Sequence, residues 1–439
     1  MQALKIKWMR LGLVFVMALL ALAPLSKTQQ ASAAQSGPRV GIVCDTNPSS
    51  TFTLNTMDGH ILLPDGNTMY MWGYSLDGEP FQHPGPVLCV NQGDTVTVVL
   101  HNTFAEPVSI MFPGQEDVMA DGVLAQPVFD GGSLTSLTTA AAPGGSVTYT
   151  FVANKPGSFI YESGADPKKQ VNLGLFGALI VRPTLDATLG GSFAYNRADS
   201  QFTPEEEFLV LLSEIDPYQH QAAEQGKAYY DANYSIDNYH THYWLLNGRA
   251  FPDTIADNFA SWLPNQPYGA LALITPFDAG THPYPGLARY INVGTEDIPF
   301  HPHGNNGLVI GRDGNPLESP TGQDLSFEKF AINIGPGQTW DVLVKWYDAE
   351  GYDEATNPVP VIMPDLANQT VGMFYSGSPY LGKMGPMLPG MSTLNQCGEY
   401  YIISHNHALF QLDAWGMTMA GQITYLRVDP PGHAGCPTP

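Results

Sequence analysis

Apolar and polar residues alternate with a period of two in short runs separated by Gly, Pro, Asp and Asn, the signature of half-buried strands joined by tight turns. Residues 51–54 alternate, 64–67 (Pro-Asp-Gly-Asn) read as a turn, and 69–72 return as a strand. Runs at 87–90, 95–100, 146–152 and 177–181 follow, so 38–184 is expected to form one β domain. Residues 185–204 lack the pattern and are expected to be a linker. Strands resume at 208–212, 243–246, 330–334, 340–344, 400–404 and 423–428. Gly335-Pro336-Gly337 turns one of these into the next, and 205–431 is expected to form a second β domain. A short helix is expected at 222–230. Residues 351–396 are a long Pro-rich loop within the second domain, and loops of that length tend to be functional or disordered.

The 439 residues include 45 Gly and 37 Pro, punctuation that favours many short strands and an all-β class. A formal charge of −23 makes nucleic acid and anionic lipid poor partners, because both repel it. Residues 1–34 hold Lys5, Lys7, Arg10 and Lys27 and no acid, then an apolar run at 11–23 and the small residues Ala31-Ser32-Ala33-Ala34. That pattern is expected to be a secretory signal peptide, an uncleaved anchor being the competing reading, with an apolar run short for a bilayer span. No later run is long and apolar enough for a membrane helix, so the mature chain is expected in the periplasm, at the cell surface or secreted. Four cysteines, Cys44, Cys89, Cys397 and Cys436, suit disulfides in such a compartment. Of the three pairings, Cys44–Cys89 with Cys397–Cys436 keeps each bond within one domain. A thiolate metal ligand is the competing use, with Cys397 the candidate because it lies eight residues before His405.

The chemistry concentrates in two His-x-His pairs. The stretch from Tyr290 to Gly304 opens as a strand, turns, and ends on His301 and His303; His405 and His407 repeat the spacing far downstream. On an extended chain residues i and i+2 share a face, so each pair can present two imidazoles together, and imidazole suits copper, zinc, iron and nickel. The competing reading is ordinary surface or core histidine. His240 and His242, also two apart, are read as structural, and the lone His60, His83, His101, His220, His282 and His433 as surface residues. Met384, Met387 and Met391 offer thioethers that suit Cu(I) or simply fill irregular gaps.

The order of signatures resembles the multicopper oxidase family, whose members are built from cupredoxin domains. The resemblance rests on Pro84-Gly-Pro-Val-Leu-Cys-Val-Asn-Gln-Gly-Asp94, Pro156-Gly-Ser-Phe-Ile-Tyr161 and Gly174-Leu-Phe-Gly-Ala-Leu-Ile-Val-Arg-Pro183 in the first half. In the second half it rests on Asn247-Gly248, Arg289-Tyr-Ile-Asn-Val-Gly294, Pro299-Phe-His-Pro-His-Gly304 and Pro336-Gly-Gln-Thr-Trp-Asp341. It implies two cupredoxin-like Greek-key β-barrel domains, a type 1 copper, and a three-copper cluster held by four His-x-His pairs. Set against that pattern, Met111-Phe112-Pro113-Gly114 stands where the first pair belongs and Glu162-Ser163-Gly164 where the second belongs. The third pair is kept as His301 and His303. The fourth, normally His-Cys-His, reads His405-Asn406-His407, so Asn406 replaces the blue-copper thiolate. The two type 1 histidines fall near Ile298 and Gln411, neither a match, while Met417 lies near the axial place.

What the resemblance leaves is a four-histidine site, His301, His303, His405 and His407, for copper in reduced number, with another transition metal or no metal as alternatives. Glu162 is a possible carboxylate ligand, and Glu296 and Asp297 are candidates to orient an imidazole. Laccase-type turnover is not expected without the type 1 ligands. An oxidoreductase acting on a small molecule or metal ion, a non-catalytic copper-binding or storage protein, and a metal-free cupredoxin scaffold for cell-surface interaction or assembly are the three readings carried forward. By resemblance to two-domain relatives the chain is also a candidate homo-trimer.

Overall fold

The computed structural model describes residues 37–227, 239–304, 306–347 and 400–429. The expected signal peptide, the 351–396 loop with its methionines, Cys397, Cys436 and His433 lie outside them. The fold is mostly strand, and it is built as two β-sandwiches.

In the N-terminal half, β1 (Thr51–Leu62), β2 (Thr68–Leu76), β3 (Leu88–Asn91), β4 (Thr95–His101), β5 (Ser146–Val152), β6 (Gly157–Glu162) and β7 (Phe176–Arg182) carry two sheets. One runs β2-β1-β4-β5, and the other β6-β7-β3. The alternation read from the sequence places Phe52, Leu54, Val96, Val98 and Leu100 on one face of the first sheet, against Leu88, Val90, Leu179 and Val181 of the second. Each such side chain contributes about 1.5–3 kcal/mol when taken from water. A helix, α1 (Pro167–Leu173), packs beside β2.

The segment expected as a linker is ordered: Phe193, Ala194, Tyr195 and Phe202 are buried, and Ser192–Phe193 pairs with Gln201–Phe202. It lacks the period of two because its apolar residues pack against Leu287, Ile310 and Leu343 of the following half rather than along a strand face.

The C-terminal half contains β8 (Glu207–Ile215), α2 (Pro217–Glu224), β9 (Tyr243–Leu246), β10 (Ala272–Ile274), β11 (Gly286–Asn292), β12 (Ile298–Pro302), β13 (Gly307–Arg312), β14 (Ile332–Ile334), β15 (Thr339–Val344), β16 (Tyr400–Asn406) and β17 (Ile423–Val428). Its sheets run β9-β8-β11-β15-β13 and β10-β17-β16-β12-β14. The helix starts five residues before the 222–230 expected for it. Asp216 caps it by accepting from the Tyr218 N–H, and Pro217 sits at the first helical position, a start signal stronger than the apolar pattern.

Two strands break the alternation for a physical reason. In β7 and β8 nearly every residue is buried, because both faces are covered. Leu179 and Val181 face their own core, while Ala178 and Ile180 meet Leu209, Leu211 and Ile291 of the other half. Beside that apolar junction, Arg289 bonds Glu207 at 2.5 Å and Asp341 at 3.3 Å. Arg182 adds two bonds to Glu207, and Ser158 and Tyr195 donate to Asp341. Burial would raise the Glu207 carboxyl, but Arg182 and Arg289 outweigh it and hold it near 2. Among the described residues no helix is long and apolar enough to cross a membrane.

Candidate metal centre

The strands β12 and β16 are antiparallel neighbours whose register sets His301 directly opposite His405. Side chains opposite one another in such a pair have Cβ atoms about 4.5–5.5 Å apart, and each partner's i+2 histidine follows on the same face. His303 N–H bonds the Ile403 carbonyl and His407 N–H the Pro299 carbonyl, so the pairing continues past the strand ends. The four rings therefore converge. Centroids lie 4.7 Å apart for His301–His303, 5.5 Å for His301–His405, 5.0 Å for His301–His407, 5.0 Å for His303–His405 and 5.6 Å for His405–His407. The chain must bend sharply after His303. Gly304 does so at φ +81°, and a Cβ there would stand 3.0 Å from the Trp346 ring.

Backbone carbonyls fix the rings. His301 Nδ1 lies 3.1 Å from the Phe330 carbonyl and His405 Nδ1 2.8 Å from the Asn406 carbonyl. A carbonyl can only accept, so both Nδ1 atoms carry the proton and both Nε2 atoms keep the lone pair that a ligating imidazole requires. His303 Nε2 and His405 Nε2 are 3.0 Å apart; two nitrogens held by one tetrahedral ion at ordinary bond lengths are separated by about 3.3 Å. Ligand atoms of His301, His303 and His405 all lie within 4.8 Å of one another. His407 is exposed and His405 buried. Burial disfavours protonation of His301, His303 and His405, the neighbouring rings reinforce this, and His405 is pushed down to about 4. Imidazole nitrogens of this kind fit copper or another borderline transition ion.

Other candidates from the sequence are placed elsewhere. The metal-ligand group does not include Glu162, whose backbone pairs with Met111 and Phe176 of the N-terminal half and whose carboxyl burial pushes up to about 7. Glu296 orients no imidazole. It accepts from Thr241 Oγ1, Trp244 Nε1 and Gln411 Nε2. The Asp297 carboxylate lies beside the Gly335 turn. Cys44 and Cys89 form a disulfide with Cα atoms 5.5 Å apart. His240 and His242 join no metal-ligand group among the described residues. His83 and His220, expected at the surface, are fully buried. His220 Nδ1 bonds the Tyr70 carbonyl of β2, an end strand, at 2.6 Å, whereas neither ring nitrogen of His83 has a hydrogen-bond partner among the described residues.

Asn406 is wholly buried and its amide donates to the carbonyl oxygens of Gln411 and Gln422. Gln411 passes on to Glu296 at 2.6 Å, and Gln422 donates to the Ser213 and Leu245 carbonyls. Ile298 is in the core, and Met417 is 45% exposed. Gln422 and the Phe330 carbonyl escaped the sequence reading. The only local signal for the first is a lone polar residue before an apolar strand, and the second acts through its backbone.

Residues 64–186 match the family described as multicopper oxidase. A multicopper oxidase of Cercospora beticola is 34% identical over 104 residues, 24% of this chain and 15% of that protein. A probable nitrite reductase-hydroxylamine oxidoreductase fusion protein of Kuenenia stuttgartiensis is 30% identical over 169 residues, 37% of this chain and 16% of that protein. The match spans about a sixth of the length of either relative. Among solved structures, the blue copper oxidase from Nitrosomonas europaea aligns with a TM-score of 0.53 at 17% identity, over 87% of this chain and 85% of that one. The multicopper oxidase mgLAC aligns with a TM-score of 0.55 at 17% identity, over 88% and 87%. At that identity the structural likeness is one of fold.

Proposed function

We propose that this chain, whose residues 64–186 match the multicopper oxidase family and whose fold resembles that of multicopper oxidases, is an exported copper protein with one reduced centre, at His301, His303, His405 and His407, and oxidoreductase activity toward a small molecule or metal ion. The observation that supports this reading is the convergence of four imidazole rings, of which His301, His303 and His405 bring ligand atoms within 4.8 Å of one another. His303 and His405 would hold the ion as the close pair, with His301 and His407 completing the set. Copper bound there would supply one-electron chemistry or Lewis acidity. The protein's own contribution is to fix the His301 and His405 rings through the Phe330 and Asn406 carbonyls and, by burial, to disfavour protonation of His301, His303 and His405. Trimer formation and export through residues 1–34 belong to the same proposal. Sedimentation and N-terminal sequencing of the mature protein test them, and a monomer or an intact leader would remove the respective part.

A second reading, copper held without turnover, is favoured by Asn406. An amide bonded to two glutamines stands where the family resemblance puts a thiolate, and no electron-conducting Cys-His link follows from these residues. The experiment has two arms. Elemental analysis of wild type against the His301→Ala/His405→Ala double variant is expected to show copper in the first and a loss of at least about tenfold in the second; equal content would end the site. Oxygen uptake with phenols, Fe(II), Mn(II) or Cu(I) then separates an oxidase from a holder. An intense blue absorption would overturn the reading of Asn406.

A further inference from the structure

A groove of about 470 Å³ opens between the turn at Asp65, helix α2 and the turn that carries Trp415, and none of the four clustered histidines lines it. Its size is that of a small-ligand pocket. The walls include Tyr70, Tyr218, Tyr243 and Trp415. Trp415 meets Tyr218 at 5.8 Å and 62°, and Tyr243 at 5.9 Å and 75°, so the rings stand as steep walls rather than one flat platform. Its charged lining is Asp65 and Glu224, both exposed, with no lysine or arginine. His60 pairs with Glu224 at 2.8 Å. Asp65 is held in place, accepting from the Tyr243 hydroxyl at 2.7 Å and the Asn67 amide at 2.8 Å.

Trp415 sits there at a conformational cost. Residues 414–417 form a two-residue hairpin closed in both directions, with N–H to carbonyl distances of 3.0 and 2.9 Å between Ala414 and Met417. Trp415 has φ +44° and Gly416 φ +84°. Positive φ at both central positions is the type I′ turn, which strongly prefers Asn-Gly. A bulky aromatic in that conformation is an outlier, and such strain clusters where a side chain serves binding. The ring is not retained as a core residue, since 45% of it is exposed.

We propose that this groove binds an organic cation, an ammonium or quaternary ammonium group seated against Trp415 and facing Asp65. The negative faces of aromatic rings attract such a group, the carboxylates neutralise it, and no lysine or arginine in the lining repels it. The angled walls suit a compact cation better than the flat face of a sugar. A free polyamine and a peptide lysine share this chemistry.

Ligand-observed NMR on the full chain tests it, with tetramethylammonium as probe and neopentyl alcohol as its neutral isostere. Tetramethylammonium is expected to bind wild type saturably, about tenfold more weakly to Trp415→Asn, and about threefold more weakly to Asp65→Asn. Neopentyl alcohol is expected to show no saturable binding. Trp415→Asn creates the pair the turn prefers, so its Tm is expected to equal or exceed that of wild type. Undiminished binding in Trp415→Asn, equal binding of the neutral isostere, or no saturable cation binding would each overturn the proposal. A Tm several degrees lower in Trp415→Asn would make the ring a structural element and do the same. Spermidine binding more tightly than a capped lysine would assign the cation to a free polyamine, and the reverse order to a peptide side chain, either supporting the class.

Discussion

In the N-terminal sandwich Met111 and Glu162 are cross-strand partners, joined by backbone hydrogen bonds of 2.7 and 3.1 Å. In the C-terminal sandwich His301 and His405 stand in the same antiparallel relation. The family resemblance lays its first two histidine pairs on the former place and its last two on the latter. Around Met111 the site is closed by packing and short polar contacts. The methionine chain crowds Gly164, Phe112 packs tilted at 4.8 Å against Phe151, Gly164 N–H bonds the Ser109 hydroxyl, and Ser163 bonds Gln170. Around His301 the same kind of strand pair presents imidazoles to one another. The backbone therefore supplies a register that either filling can use, and chemistry is a matter of which side chains occupy it.

The largest expected effect comes from a matched pair of substitutions. Asn406→Leu strips two buried glutamine carbonyls of their donor and is expected to cost about 3 kcal/mol, whereas Met111→Leu conserves volume and should cost less than about 1.5 kcal/mol. Urea midpoints at one pH measure both, and equal costs would dissolve the contrast between a polar-network end and a packed end. Next is Glu162→Gln. Burial holds this carboxyl up to about 7, so its ionised form is a burden above that pH. The amide is expected to stabilise the protein by about 2 kcal/mol at pH 8 and to leave copper content unchanged. A fall in copper would return Glu162 to the ligand set.

The smallest effect per step is in pH. Burial lowers His83 to about 3, with His220 reinforcing it, and lowers His220 to about 4. Both lie below the ordinary 6.5, so their contribution is present above pH 6.5 and drains away as pH falls toward those values. Burial raises Asp45 to about 6 and Glu162 and Glu214 to about 7, and these groups gain stability as they protonate across the same interval. The two sets nearly cancel between about pH 6.5 and 4.5. Below that the histidines, joined by Glu207 as it loses its arginine partners' benefit, are expected to lower stability steadily as the pH falls. A Tm series from pH 7 to 3 reads this directly; a steep fall already at pH 6 would contradict it.

The strand pattern and the two His-x-His pairs were legible because both are local: alternation and i, i+2 spacing need no knowledge of what lies opposite. The burial of His83 and His220 was not, since it depends on β2 being an end strand. Nor was the role of Glu296, whose three donors come from β9, the segment leading into it and the segment after β16. The ordered 185–204 segment was missed because its apolar residues answer to the neighbouring half. Trp415 gave no cue either, as Trp-Gly does not read as a turn signal.

The sheet of β6, β7 and β3 is wetted on neither side. Cleaving the polypeptide between the halves and parting the pieces would bare Val87, Ile160, Ala178 and Ile180 on one fragment and Leu209, Leu211 and Ile291 on the other. Each fragment would carry an oily strip prone to clumping, so neither half is expected to stay dispersed without the other.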